Sequence, residues 1–217
     1  MSYTYVAGAQ NPANSVSITV VAGELVLVSA NWNDDTSTPA APTDGLGNTY
    51  TQVGLVRDSF DGVTTGLYQS LITTGGSAVI AFATNPTGMI CLASRYTGLV
   101  GSSGVVSNFI NGTLTNATNA LTSTALTPGS QPGMLFGAGY VPSNQVLASG
   151  TGFTDRTTAN VRNLLVEDAP IASLSAVAAT FTYTAGATTR GIAIAAYFAE
   201  AGGGAPASYA MSSDMYF

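Results

Sequence analysis

Ser17-Ile18-Thr19-Val20-Val21-Ala22-Gly23-Glu24-Leu25-Val26-Leu27 is the stretch that decides the fold class. Ile, Thr and Val carry two heavy atoms on Cβ, which suits them to pleated backbone, and Gly23 interrupts the run where a reversal needs positive φ. The stretch reads as a strand, a turn and a second strand. Thr124-Ala125-Leu126-Thr127 followed by Pro132-Gly133-Met134-Leu135-Phe136 repeats the pattern, with Gly133 at the turn. Each half of the chain is therefore expected to open with the same hairpin.

Two further echoes extend this. Gly47-Asn48-Thr49-Tyr50-Thr51 matches Gly150-Thr151-Gly152-Phe153-Thr154, with an aromatic-threonine pair three residues after a glycine. Gly76-Ser77-Ala78-Val79-Ile80-Ala81-Phe82 and Ile90-Cys91-Leu92-Ala93-Ser94-Arg95-Tyr96 match Ser175-Ala176-Val177-Ala178-Ala179-Thr180-Phe181 and Ile192-Ala193-Ile194-Ala195-Ala196-Tyr197-Phe198. Each half then closes with a hairpin ending in an aromatic.

Short Val-, Ile-, Thr- and aromatic-rich runs between Gly, Pro, Asn and Asp clusters predict strands near 3–6, 15–21, 24–32, 49–57, 65–73, 78–84, 89–97, 105–110, 121–127, 133–141, 162–168, 175–183 and 190–199. Helical spacing of Val161, Leu164 and Leu165 competes within 157–168. Two four- or five-stranded units bury their apolar faces best against each other. The expectation is an all-β, antiparallel two-sheet β-sandwich of jelly-roll type with internally duplicated halves. It spans residues 1–200, with pseudo-repeats at about 15–100 and 121–200. The runner-up is two tandem sandwiches. Ile80, Phe82, Ile90, Leu92, Phe181, Ile192 and Ile194 are the expected core between two sheets.

The composition narrows the function. Apolar residues make up 46% of the 217 residues and charged ones 7%, with five arginines and no lysine. The net charge is −6 and the arginines stand singly, so no basic stripe exists to track phosphates and nucleic-acid binding is excluded. No apolar run reaches the roughly 20 residues of a membrane helix, and Met1 to Tyr5 show neither a basic nor an apolar leader. Synthesis in a cytoplasm without a signal peptide is the expectation. Cys91, the only cysteine, reads as a small buried hydrophobe.

Chemistry-bearing patterns are few. With no histidine in the chain, Ser-His-Asp and Cys-His mechanisms are excluded, as are nearly all zinc sites. The carboxylates form no distinctive pair motif, so the expectation is a non-enzyme with no catalytic residue, cofactor or metal. Asp34-Asp35 and Asp58/Asp61 offer oxygen ligands of the kind calcium takes, but without the spacing of a calcium loop, and read as solvated turns. The sequons at Asn111 and Asn116 read as loop residues. Trp32, at a strand end beside an acidic loop, is the candidate for stacking a sugar. After Glu200 a Gly-Ala-Pro spacer leads to Tyr209, Met211, Met215, Tyr216 and Phe217, expected to form an interface arm in residues 201–217.

Ile18-Thr19-Val20, Gly23-Glu24-Leu25-Val26-Leu27-Val28, Asp44-Gly45-Leu46-Gly47-Asn48-Thr49-Tyr50-Thr51, Gly66-Leu67-Tyr68 and Arg95-Tyr96-Thr97-Gly98-Leu99 together resemble the β-sandwich virion structural proteins of tailed bacteriophages. The likeness covers roughly residues 15–200. It implies a virion location and a capsid decoration or cement role. The implied partners are further copies of itself, as a trimer, and a major capsid protein. No catalytic residue carries over. The alternative is a tail or fibre protein, or a carbohydrate-binding module recognising cell-surface glycans.

Overall fold

The computed structural model describes residues 3–59, 61–110, 120–129, 132–141, 146–157, 164–183 and 191–202, with 103–110 as backbone alone. Its strands are β1 (Thr4–Asn11), β2 (Ser15–Val20), β3 (Leu25–Trp32), β4 (Thr51–Asp58), β5 (Val63–Leu71), β6 (Gly76–Ala81), β7 (Ile90–Thr97) and β8 (Leu99–Ile110). They continue with β9 (Ala120–Thr122), β10 (Gly133–Tyr140), β11 (Leu147–Ser149), β12 (Thr154–Asp155), β13 (Leu164–Ile171), β14 (Thr180–Tyr183) and β15 (Gly191–Glu200). The described residues contain no helix, and Leu164 and Leu165 belong to a strand. Each of the thirteen predicted runs overlaps a strand, but 121–127 and 175–183 shorten to β9 and β14, with one isolated bridge between Leu126 and Val177 beyond them. The two-residue β12 and three-residue β11 are too short to show a period in sequence.

The protein is all-β and its sheets are antiparallel, but the strands divide among four sheets where two were expected. Two are five-stranded, β1-β7-β3-β5-β4 and β12-β13-β10-β15-β8; a third is β11-β14-β9 and a fourth β2-β6. Starting from β8, the second large sheet reads β8-β15-β10-β13-β12, so both are threaded in the same relative chain order. Only β11 lacks a counterpart in the first half.

Three apolar clusters separate these layers. The middle one joins the two large sheets through Leu25, Leu27, Leu67, Leu92 and Tyr96 on one side and Met134, Phe136, Val166, Ile194 and Phe198 on the other. A second lies between the first large sheet and β2-β6, with Val16, Ile18, Val28, Trp32, Tyr68, Ile80 and Phe82. The third, around Leu135, Phe181, Ala193, Ala195 and Tyr197, lies under β11-β14-β9. Alternate residues of β3 and β10 thus enter different clusters, which is why Leu25–Trp32 and Gly133–Tyr140 are buried at every position. In β2, by contrast, exposed Ser17 and Thr19 alternate with buried Val16, Ile18 and Val20. Six of the seven expected core residues are buried, though in three layers; Ile90 is only partly so.

The expected hairpins are corrected. β2 pairs with β6 and β3 with β5 and β7, so the turn at Gly23 carries the chain from one sheet to another. β6 to β7 and β14 to β15 cross in the same way. Gly23 does adopt φ +89°, but Gly133 opens β10, where an added Cβ would lie 2.1 Å from the Tyr197 hydroxyl. Its need is space. At Gly139 the Phe181 ring occupies the place of a side chain, 2.8 Å from an added Cβ, letting the small outer sheet sit close.

Because the middle cluster belongs to both large sheets, the chain is expected to unfold in one cooperative transition. Phe136→Ala, Phe82→Ala and Phe181→Ala should each cost about 3–5 kcal/mol. Denaturant unfolding followed by circular dichroism tests this. Two separated transitions, or wild-type stability in Phe136→Ala, would show that the middle layer is not a common core.

Candidate functional site

Charged residues are scarce, so their positions are informative. Glu167 and Asp168 are neighbours on β13 and therefore point to opposite faces of their sheet. Asp168 enters the space between the large sheets, where its Oδ2 accepts from the Tyr96 hydroxyl at 2.8 Å and from Arg156 Nε at 2.6 Å. Arg156 Nη2 donates to Oδ1 at 3.0 Å, completing a two-pronged grip. The guanidinium also lies 4.3 Å from the centre of the Tyr5 ring. Tyr5 and Tyr3 in turn sit 5.6 and 6.2 Å from Tyr96, and Phe136 lies 6.4 Å away on the facing sheet. Burial first, then the Asp168 carboxylate, pushes the Tyr96 hydroxyl well above its ordinary range. Tyr96 thus stays a donor, and the set works as a polar clasp between sheets.

The clasp is one-sided. Leu27 pairs with Gln69 as Phe136 pairs with Asp168, and Leu25 pairs with Tyr96 as Met134 pairs with Phe198. The opposite flank therefore carries an amide where the first has a carboxylate, and a phenyl ring in place of the phenol. Gln69 Oε1 there accepts from the Ser102 amide at 2.8 Å.

Three other acidic side chains are also held. Glu24, at the turn into β3, takes Arg95 Nε at 2.8 Å and Nη2 at 2.7 Å, and its Oε2 accepts from the Val21 amide. Glu167 accepts from the amides of Gly150 at 2.9 Å and Thr180 at 3.1 Å, tying β13 to the small outer sheet. Burial outweighs those two bonds and pushes its carboxyl up to about 8. Asp44 accepts from the amides of Leu46 and Asn48, from Asn48 Nδ2 and from the Tyr50 hydroxyl. Burial opposes this, but the hydrogen bonds prevail and keep its pKa low. Asn48 Oδ1 meanwhile accepts from Thr73 and Thr74, so the Asp44 to Tyr50 stretch pins the turn after β5.

Trp32 requires correction: it is fully buried in the second cluster, because β3 is the central strand of a sheet covered on both faces. Neither ring face is open to a sugar. Tyr209, Met211, Met215, Tyr216 and Phe217, with both sequons, lie outside the described residues. Cys91 is buried and its thiol is pushed up to about 12 by burial. Asp34 Oδ1 is engaged by Thr36 and Ser37, and among the described residues no three metal-ligating side chains gather. No described helix is long and apolar enough to cross a membrane. The sequence reading missed the clasp and the Glu24–Arg95 pair, although Asp168 and Arg95 inside apolar runs signalled them, since a charge in a buried strand needs a partner.

Compared with protein families, curated proteins and solved structures, the chain matches none.

Asp168→Ala leaves Arg156 and Tyr96 without their shared acceptor and should cost about 3–5 kcal/mol, whereas Tyr96→Phe should cost about 1 kcal/mol. Equal, small losses in urea titrations would show that the clasp contributes little. Glu167 gives a pH signature. Its carboxyl keeps its proton to about 8 in the fold against an ordinary 4.5, so the folded state binds the extra proton between those values. Its contribution is complete below about pH 4.5 and is lost as pH rises through about 8. Comparing wild type with Glu167→Gln should show this slope flattened in the variant; identical pH profiles would remove Glu167 as the source.

Proposed function

We propose that this protein is a non-enzymatic structural subunit of a bacteriophage virion, a capsid decoration or cement protein. It would be built on a duplicated β-sandwich unit of jelly-roll type. The observation that carries the reading is the use made of its few acidic side chains: Glu24, Glu167 and Asp168 each take hydrogen bonds or an ion pair that tie one segment or sheet to another, and Asp44 fixes the loop up to Tyr50. This is the economy of a rigid building block. The like-ordered large sheets support duplication, since two copies of one unit packed by their large sheets produce such an order.

Self-association as a trimer, attachment to a major capsid protein and an interface role for Tyr209, Met211, Met215, Tyr216 and Phe217 belong to this proposal. A tail or fibre protein, or a glycan-binding module, is the second reading; buried Trp32 gives it no support, so any sugar contact would fall elsewhere. Purified particles probed with an antibody to this chain should carry it in stoichiometric amounts, and a glycan array should stay blank. Free protein with strong glycan binding and no particle association would reverse the order of the two readings.

A further inference from the structure

Unpaired sheet edges invite other strands, and folded proteins blunt them with bulges, charges, brevity or a covering segment. Among the described residues nearly every edge of this fold carries such a device. β1 has a register shift between Tyr5 and Ala7, β4 one between Gln52 and Gly54 before it ends in Arg57-Asp58, and β8 two against β15. β9 and β11 are three residues long; β12 has two and is followed by Arg156. The free side of β6 is met at Ala81 by Thr43, while Asn48 reaches Thr74 near its other end.

β2 has none of these. Ser15-Val16-Ser17-Ile18-Thr19-Val20 contains no charge and no proline, and its ladder to β6 has no register shift. The Phe82 amide donates to the Asn14 carbonyl, which sets the phase of this ladder. Val16, Ile18 and Val20 therefore exchange bonds with Ile80, Ala78 and Gly76, and the backbone groups of Ser15, Ser17 and Thr19 point away from β6. The Ser15 carbonyl accepts from Asn11 Nδ2. The amides and carbonyls of Ser17 and Thr19 face outward beside exposed side chains.

We infer that the outer edge of β2 is a strand-addition surface and that its occupant is β2 of a second copy of this chain. Antiparallel pairing about a two-fold axis at Ile18 sets Ser17 opposite Thr19 of the second copy, and the reverse, so a single patch completes itself. Each such pair exchanges both backbone bonds. On one face Val16, Ile18 and Val20 extend the apolar surface into the neighbouring copy; on the other, hydroxyls of Ser17 and Thr19 stand side by side. Because neither strand is charged, no like charges meet, despite the net charge of −6. A peptide chosen for charge would find nothing here to read, which favours the neutral, self-complementary strand. The contact is short and its affinity correspondingly modest. It does not depend on the virion reading, and a two-fold contact of this kind doubles the mass of a monomer or of a trimer alike.

Sedimentation of the purified full chain over a wide concentration range provides the test. Wild type should show a concentration-dependent doubling of mass. Ser17→Pro removes an outward amide that β6 does not use, and Thr19→Lys places a charge on the edge. Both should keep the wild-type circular dichroism and melting temperature while weakening the doubling by about tenfold or more. Val79→Lys, on the exposed face of β6, should leave it intact. Absence of doubling in wild type, its persistence in both β2 variants, or its loss in Val79→Lys would overturn the assignment.

Discussion

The contact between the two five-stranded sheets is the constraint on which the rest of the molecule depends. It buries one face of β3 and β10, and each strand must then bury its other face beneath a smaller sheet. That double burial dictates composition. A strand with no solvent side has no place for a charge without a partner and little tolerance for bulk on both faces, hence Gly137 and Gly139 in β10 and the alanines of β15.

Acidic side chains are correspondingly concentrated where layers must be tied together. Asp168 joins the large sheets, Glu167 joins β13 to the outer sheet, and Glu24 with Arg95 ties the turn before β3 to β7. Such buried pairs add less net stability than their Coulomb attraction suggests, because both ions lose water. Their stronger effect is on geometry: a carboxylate held by a guanidinium and a phenol has one arrangement in which all its bonds are met. Placing this clasp on one flank, with Gln69 and Phe198 across from it, makes the two sides of an otherwise similar arrangement unequal.

Much of the strand layout was legible because it depends on local pattern: β-branched runs, the alternation in β2 and turn residues between them. What failed was connectivity. Gly23 supplies the same positive φ whether the chain turns back beside itself or crosses to another sheet, so the crossover looked like a hairpin. Trp32 was misplaced for a related reason, since a strand end beside an acidic loop reads as exposed unless the covering sheet is known. The clasp links Tyr96 to a carboxylate 72 residues away, a separation at which no sequence period operates. The lone aspartate in an apolar run was visible; its partner was not.

The way three of the arginines are held also governs how the chain meets proteases. A lysine-free sequence offers trypsin only its five arginines. Arg95 is 8% exposed and clamped on Glu24, Arg156 is gripped by Asp168 under an aromatic ring, and Arg57 reaches the Ser37 carbonyl and the Thr38 hydroxyl. Arg95 and Arg57 also lie within paired strands, which must leave their sheet before an extended substrate can enter a protease cleft. For those bonds, resistance to digestion follows from the ladder as much as from the ion pairs.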